Sequence, residues 1–333
     1  MMPRLDRRIA ILKGKRNGAF DRDQYYLEGA QRARLARKAR ALLRGMRPVA
    51  LVTPRWSEPQ QFLDDVAVDL LLGEPVVRSR MLSLRSLRGR TTHQAWTWLV
   101  QAVSNFTQQS LPGPAWQVVD RHGFDKVMEN LLSRTHEGER TCLMIHGLEH
   151  LNTTARDDLL AVLAAHAAEG VARSGLNFVL AGAVNAQLLT APRITSLVLP
   201  DFSVGEAVES LVEYLGVDDL QRLRDVVELV GGVPEVLHML GTDSASRIND
   251  IVHNRHIFWN ALGLVGSDIL RTFREVTADD ALSLRLDRIA QGPQAVEADA
   301  DDALIRAGLC RQTRDGRQTM LRAPVFADLA DLV

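Results

Sequence analysis

Short apolar runs alternate with helix-like stretches over the first two hundred residues of the chain. The apolar runs predict strands at 49–53, 80–84, 142–146, 178–181 and 196–199. Helical periodicity lies between them, near 60–72, 93–109, 124–134 and 154–173. Short apolar strands separated by helices are typical of a parallel sheet that is covered on both faces. The pattern therefore predicts an α/β domain with right-handed crossovers.

The pattern changes after Pro200. Residues 201–243 hold short helical segments separated by glycines, and a longer helical block follows. The tail indicates a helix, a strand, an Asp315-Gly316 turn, a second strand and a last helix. Asp-Gly between two strand-like runs is a strong hairpin signal, and a helix followed by such a hairpin is the ending of a winged helix. We predict a basic arm at 1–23, an α/β core at 24–200, a helical lid at 201–243, and a helical linker with a winged helix at 244–333.

Composition and charge leave the class open but point to one compartment. The chain is 46% hydrophobic and 24% charged, with a net charge of −1, so no global field favours nucleic acid or membrane. Basic residues nevertheless outnumber acidic ones by 14 to 4 between Met1 and Arg47. Cys142 and Cys310 both lie in apolar surroundings, and no apolar run reaches the roughly 18 residues of a membrane span. We expect a cytoplasmic protein without disulfides.

Several local motifs follow one another in a recognisable order. "YYLEGAQRARL" precedes the first predicted strand, and "TCLMIHGLEHL" ends the third. "VELVGGVPEVLHML" follows in the lid region, and "LIRAGLCRQTRDGRQTMLRAPVFADLADLV" closes the chain. Together they resemble the AAA+ ATPases and the related STAND signalling ATPases, including origin-recognition-like members and transposition regulators, over about residues 24–333. The resemblance implies a five-stranded parallel P-loop-NTPase-like sheet with a helical lid and a C-terminal winged helix.

The stretch after the first strand is where such a fold would bind phosphate. The pattern G-x-x-x-x-G-K-[ST] falls on Thr53, Pro54, Arg55, Trp56, Ser57, Glu58, Pro59 and Gln60. A phosphate loop needs inward backbone N–H groups, a lysine on the outer phosphates and a hydroxyl on Mg²⁺. Pro59 has no N–H, Glu58 would place a carboxylate against phosphate, and Gln60 is a poor Mg²⁺ ligand. The residues therefore predict a degenerate phosphate loop.

A second site shows a similar loss. By the resemblance, the Walker B acid falls on His146 and the next position on Gly147, and Glu149 is the nearest carboxylate. His146 and His150 have a spacing that zinc sites use on a helix, but this segment is predicted to end a strand, so we expect no metal. Two losses at separate sites predict a protein that binds no nucleotide cofactor.

We therefore expect a pseudo-ATPase that does not hydrolyse ATP and serves as an adaptor or scaffold subunit. Its expected partners are proteins, among them an intact ATPase paralogue, in a homo- or hetero-oligomer. Three alternatives stay open. The stretch is a plain strand and turn without nucleotide ancestry; or the chain is an enzyme in which Arg55 replaces the lysine; or it is a DNA-associated regulatory ATPase with an atypical phosphate loop.

Contact surfaces can also be predicted. Arg193 lies where AAA+ rings carry an arginine for the neighbour's phosphate, and a solvated loop arginine is the alternative. If the chain binds nucleic acid, the candidates are the basic arm and a surface formed by Arg78, Arg80, Arg85, Arg88 and Arg90. The helix before the hairpin carries Glu297, Asp299, Asp301 and Asp302, which favours a structural or protein-binding winged helix. We also expect Trp56 and Phe62 to fill the cleft left by the nucleotide.

Overall fold

The computed structural model divides the chain into two compact units. The first comprises Met1–Ala33, Pro54–Glu58 and Pro200–Val333, and the second comprises Arg34–Thr53 and Pro59–Leu199. The residues that the structure describes are 29–107, 120–133, 140–169, 171–182, 193–215, 220–242, 258–260, 262–313 and 315–332. The arm predicted at 1–23 lies outside them.

The second unit contains the five-stranded sheet. Helix α1 spans Ala30–Arg44 and enters this unit at Arg34. The strands are β1 (Val49–Val52), β2 (Val77–Ser83), β3 (Arg140–His146), β4 (Leu176–Gly182) and β5 (Thr195–Val198). The helices are α2 (Pro59–Leu72), α3 (Thr92–Thr107), α4 (Arg121–Ser133), α5 (Thr153–Glu169) and α6 (Val171–Ser174), with short 3₁₀ turns at Leu84–Leu87 and Leu148–His150.

The sheet is parallel throughout. Its strand order is β2-β3-β4-β1-β5, with Val49 of β1 paired to Val179 of β4 and to Thr195 of β5. The predicted α/β class with a five-stranded parallel sheet is confirmed. Four strands begin earlier than predicted, β2 at Val77, β3 at Arg140, β4 at Leu176 and β5 at Thr195, because polar residues lie near their starts. In β4 the polar residue is the buried Asn177, whose amide donates to the carbonyls of Leu43 and Arg47.

A hydrophobic core lies on each face of this sheet. On one face α1 and α2 cover alternate strand residues such as Leu51, Met144 and Val179. On the other face α3, α4 and α5 cover the intervening residues, such as Leu143 and Leu180. Alternate burial on both faces explains why the strands appear as continuous apolar runs in the sequence.

The first unit is mainly helical. Its helices are α7 (Val204–Leu215), α8 (Leu220–Val230), α9 (Pro234–Thr242), α10 (Gly263–Thr277), α11 (Asp280–Ala290), α12 (Ala298–Arg306) and α13 (Leu329–Leu332), with a 3₁₀ turn at Pro324–Asp328. Strands β6 (Gln294–Ala295), β7 (Cys310–Gln312) and β8 (Gln318–Leu321) form an antiparallel sheet in the order β6-β8-β7. β7 and β8 pair around the Asp315-Gly316 turn, where Gly316 has φ +70°.

The grouping of residues 54–58 with 200–333 is a feature that the sequence did not predict. The proposed boundaries at 24–200, 201–243 and 244–333, and the assignment of the tail as a winged helix, stay predictions. Cys142 and Cys310 are both free and buried, and burial raises the pKa of each thiol. Along the described part of the chain, every helix is too short or too polar to cross a lipid bilayer.

Candidate functional site

The loop Pro54–Glu58 is anchored by its central aromatic residue. Trp56 is 6% exposed and lies in the core of the first unit, with its ring 6.0 Å from that of Phe326 in an edge-to-face arrangement. Its indole Nε1 donates to Asp268 Oδ2 at 3.2 Å. Phe62, which we expected beside Trp56, lies instead in the core of the second unit. That expectation was wrong because Phe62 is on the apolar face of α2, which packs on the sheet.

Three consecutive carbonyl groups of this loop accept hydrogen bonds. The carbonyl of Arg55 accepts from Arg322 Nη1, and that of Trp56 accepts from the backbone N–H of Glu235 at 3.0 Å. The carbonyl of Ser57 accepts from Arg32 Nη2 at 3.0 Å. A phosphate loop functions through backbone N–H groups that surround the anion. This loop is held through its carbonyl oxygens by two guanidinium groups and a helix N-terminus.

Arg322 is the centre of this network. Its side chain is completely buried, and Nε and Nη2 donate to Asp201 Oδ2 and Oδ1 at 2.8 and 2.5 Å. Nη2 also donates to Ser57 Oγ at 2.9 Å. Paired and charge-assisted bonds of this kind are short and strong, and they compensate the loss of hydration that burial imposes. One side chain therefore joins the residue after β8 to the loop.

Arg32 holds the loop from the first turn of α1. Its Nε donates to the carbonyl of Pro200 at 3.1 Å, and its guanidinium lies 4.5 Å from the centre of the Phe202 ring. Burial lowers the pKa of Arg32 to about 10, and the opposing charges of Asp201 and Glu58 limit the decrease. Arg32 is therefore still protonated at pH 7.

The Gly-Gly-Val-Pro motif has a steric role at the same place. Gly231 and Gly232 have φ values of +67° and +73°. A Cβ at Gly231 would lie 2.4 Å from the carbonyl oxygen of Arg322, and one at Gly232 would lie 2.0 Å from that of Phe202. Only glycine permits these approaches. They place the start of α9 so that the N–H of Glu235 reaches the loop. Helix N-termini bind anions, but here the acceptor is a peptide carbonyl.

The side chain of Arg55 is also engaged within the first unit. Its Nη1 donates to Thr272 Oγ1 on α10 at 2.6 Å. A Cβ added to Gly308 would lie 2.9 Å from the Cβ of Arg55 and 3.0 Å from the Trp56 ring. Arg55, the residue considered as a substitute for the lysine of a phosphate loop, is thus bound to a helix hydroxyl group.

The rest of the predicted loop belongs to the second unit. Thr53 is buried, and its N–H donates to the carbonyl of Gly182 at 3.1 Å. Pro59 is the first residue of α2, a position where its missing N–H is not needed by the helix. Gln60 follows in the first turn of the helix and is exposed. These residues continue the strand and the helix rather than forming a binding site.

The end of β3, where the degenerate Walker B position was predicted, carries polar residues. His146 is its last residue and is 8% exposed, and Gly147 turns the chain with φ +87° into the 3₁₀ turn that contains Glu149. Glu149 Oε1 lies 3.7 Å from His150 Nε2, and Oε2 would be 3.2 Å from a Cβ added at Gly182. Within the described residues, no three or more His, Cys, Asp or Glu side chains are grouped to hold a metal ion.

The predicted contact arginines all lie in the second unit. Arg193 is exposed with φ 72°, and its Nη1 donates to the carbonyl of Ala168 near the end of α5 at 2.7 Å. The five arginines of the predicted basic surface are all exposed, on β2 and in the segment that follows it: Arg78, Arg80, Arg85, Arg88 and Arg90.

Several residues of the loop network were not found from the sequence. They are Asp201, Glu235, Asp268, Thr272 and Arg322. The available signal was a single arginine inside the apolar stretch "TMLRAPVF" and a single aspartate directly after the apolar stretch "LVLP". A lone charge in such a stretch indicates a buried ion pair, but nothing in the sequence names the partner.

Comparison with known proteins assigns the fold. No protein-family model matches the chain, and no curated protein matches it. A Walker-type ATPase of Pyrococcus abyssi is similar, with a TM-score of 0.52, 15% identity, and coverage of 92% of this chain and 96% of that one.

Two further solved structures share a lower similarity with the chain. A STAND protein with a tetratricopeptide repeat sensor from Pyrococcus horikoshii has a TM-score of 0.42 and 10% identity, covering 88% of this chain and 41% of that one. The RuvB Holliday junction branch migration motor of Thermotoga maritima has a TM-score of 0.41 and 17% identity, covering 90% and 93%. The likeness to the Walker-type ATPase concerns the fold, which is α/β with a P-loop-NTPase-like sheet.

Proposed function

We propose that this protein is a pseudo-ATPase: a chain with a P-loop-NTPase-like sheet that hydrolyses no ATP and serves as an adaptor or scaffold subunit. The observation that carries the proposal is the use of the carbonyls of Arg55, Trp56 and Ser57 by Arg322, Glu235 and Arg32. The loop therefore has a structural role in the first unit, and we call loop 54–58 with its three bound carbonyls the clasp. Its sequence supports this role, since it offers no lysine for a phosphate.

The energies involved favour the clasp over a nucleotide. Converting the loop into an anion site would require withdrawal of the buried Arg322, and breaking a buried ion pair costs about 3–5 kcal/mol. It would also displace Trp56, and losing a buried aromatic side chain costs about 3–5 kcal/mol. Micromolar binding of a nucleotide supplies only about 8 kcal/mol in total. Displacing Arg322 and Trp56 would therefore cost most or all of the binding free energy of the nucleotide.

Hydrolysis provides the direct functional test. We expect purified protein with Mg²⁺ and ATP to release no more phosphate than a heat-treated sample. The rival function is an ATPase in which Arg55 replaces the lysine. In that case the wild type would release phosphate and Arg55→Ala would abolish the release. Arg317→Ala, which changes an exposed arginine outside the loop network, is the matched control.

We propose that the C-terminal module is a winged helix with a structural or protein-binding role. The acidic helix α12 supports this assignment, although not all of its carboxylates are exposed. Asp301 is completely buried and bound to Arg285, so its charge is neutralised inside the module. Asp299 and Asp302 remain exposed, and carboxylates on this helix disfavour a nearby phosphate backbone.

The scaffold role predicts assembly, with an intact ATPase paralogue as the preferred partner in the cytoplasm. Arg193 is the residue proposed to face a neighbouring subunit. Light scattering tests this part separately from hydrolysis. An oligomer at about tens of micromolar, or a larger complex when the paralogue is added, is expected. A strict monomer under both conditions would contradict the scaffold role while leaving the absence of hydrolysis intact.

A further inference from the structure

The segment Val77–Arg90 presents an unusual surface. Its exposed residues are all Arg, Ser or Gly: Arg78, Arg80, Ser83, Arg85, Ser86, Arg88, Gly89 and Arg90. Its large apolar residues point inward, with Val77, Leu82, Leu84 and Leu87 buried. The five arginines are called the arginine edge below. The apolar residues hold the segment in place, so the arginine edge is a fixed part of the second unit.

The arginine edge lies at the side of the sheet. β2 is one of the two edge strands of the five-stranded sheet and pairs with β3 alone among the described strands. Arg78 and Arg80 are two residues apart on one strand, so they project from the same face about 7 Å apart. Arg85 belongs to the 3₁₀ turn that follows, and Arg88 and Arg90 come directly after it.

Little within the unit neutralises the charges of Arg80, Arg85, Arg88 and Arg90. Residues 76–90 contain no Asp or Glu. In the part of the chain that the structure covers, no carboxylate forms an ion pair with Arg80, Arg85, Arg88 or Arg90. Uncompensated guanidinium groups on a firm surface attract a partner that carries several negative charges.

We propose that the arginine edge binds the phosphate backbone of a DNA duplex without reading its sequence. Guanidinium groups and serine hydroxyls are the side chains that donate to phosphate oxygens. A protein partner would need aromatic or apolar residues at the centre of the contact; the exposed set contains none, and the exposed apolar residues Leu71, Leu72 and Val76 precede the arginines in the chain instead of lying among them. A single strand would need aromatic rings on which its bases stack, and these are missing from the same exposed set.

This inference does not depend on the pseudo-ATPase proposal. The arginine edge and the loop 54–58 belong to different units of the chain. DNA binding at the edge should therefore be unaffected by ATP and by substitutions in the loop network. An ATPase assay and a DNA-binding assay consequently test the two proposals separately.

Salt dependence of DNA binding gives a quantitative test. Full-length protein is titrated into a short labelled DNA duplex of arbitrary sequence, and anisotropy is followed at about 50 and 200 mM salt. Four phosphate contacts, from Arg80, Arg85, Arg88 and Arg90, predict a slope of log K against log salt near −3.6, or about a 150-fold loss of affinity between these concentrations. The variant Arg85→Gln/Arg88→Gln/Arg90→Gln is expected to reduce the slope by about 2.7.

Two further variants separate the arginine edge from net charge. Arg224→Gln/Arg288→Gln/Arg306→Gln removes the same charge from exposed positions in the first unit and should leave the slope unchanged. Replacing Arg85, Arg88 and Arg90 by lysine keeps the charge and should keep most of the slope. Circular dichroism checks that all variants are folded.

The proposal would be overturned by any of four results. These are no salt-dependent binding by the wild type, an unchanged slope in the Arg85/Arg88/Arg90 glutamine variant, an equal loss in the control variant, or equal affinity for the single strand of the same sequence.

Discussion

Arg322 and Asp201 form a bidentate ion pair inside the first unit, with donor–acceptor distances of 2.8 and 2.5 Å. The arginine is fully buried, and the aspartate side chain is only 10% exposed. The same guanidinium binds Ser57 Oγ and the carbonyl of Arg55. The loop after β1 therefore depends on a residue that lies more than 260 positions away in the sequence.

Removing Arg322 should strongly destabilise the protein. In Arg322→Ala the carboxylate of Asp201 stays buried without its partner, and the carbonyl of Arg55 loses its donor. We expect the free energy of unfolding to fall by about 3–5 kcal/mol. Urea unfolding followed by tryptophan fluorescence measures it. Arg311→Ala on the neighbouring strand β7 changes an exposed arginine and should shift stability by less than about 0.5 kcal/mol. Equal effects would show that the buried pair is unimportant.

Gly232 and Gly205 offer a matched comparison. Gly232→Ala places a Cβ 2.0 Å from the carbonyl oxygen of Phe202, and it also strains a left-handed backbone. We expect a loss of at least about 2 kcal/mol in unfolding free energy. Gly205 lies in α7 with no atom within 4 Å of its added Cβ, so Gly205→Ala should stabilise by about 0.5–1 kcal/mol. Similar thermal midpoints for both variants would contradict this account of the Gly-Gly motif.

Asp301 should make the protein sensitive to acid. Burial alone raises its pKa, but hydrogen bonds from Arg285, Thr319 and the N–H of Glu297 outweigh burial and leave the pKa below its usual value. A lowered folded-state pKa contributes stability above the unfolded value, near 4, which is lost as pH falls through the folded value.

The variant Asp301→Asn tests this linkage. We expect it to lose about 3–5 kcal/mol at pH 7, since Arg285 is left buried without its carboxylate. Below about pH 4, the stability of the variant should also fall less than that of the wild type. Urea midpoints at pH 7 and at pH 3 provide the measurement. If stability depended on pH in Asp301→Asn as strongly as in the wild type, Asp301 would not be the source of the acid sensitivity.

The pH dependence of stability contributed by Asp158 should have the opposite sign to that contributed by Asp301. Burial raises its pKa, and the nearby Arg121, whose Nε lies 3.1 Å from Asp158 Oδ1, only partly offsets this. A raised folded-state pKa favours the protonated form, so the contribution to stability is present in acid and is lost as pH rises through the folded value. Asp158→Asn should therefore be more stable than the wild type at pH 7, with a smaller difference at pH 3. A lower urea midpoint for the variant at pH 7 would disprove this sign.

Much of the sheet domain could be predicted from the sequence because its signal is local. Strands buried on both faces are continuous apolar runs, and on that basis β1 was predicted at 49–53 and β3 at 142–146, within one or two residues of Val49–Val52 and Arg140–His146. β2 was located less accurately, since the polar residues Arg78 and Ser79 interrupt the apolar pattern near the start of this edge strand. The Asp-Gly pair located the β7–β8 hairpin for a similar local reason.

The site was harder to predict because its contacts are distant in sequence. The sequence showed that Pro59, Glu58 and Gln60 do not suit a phosphate loop. It did not show that Arg322 and Arg32 bind the loop carbonyls, since an arginine's partners depend on the fold. The burial of Trp56 was expected, but the packing of Phe62 depended on which face of α2 meets the sheet.

Titration calorimetry with ATP and Mg²⁺ tests the central claim most directly, because it measures binding whether or not hydrolysis follows. If the loop 54–58 is a clasp closed by Arg322, Glu235 and Arg32, ATP at up to about 1 mM should give no saturable heat, meaning less than about 4 kcal/mol of binding free energy. Saturable binding with a micromolar dissociation constant that is lost in Arg55→Ala would contradict the account.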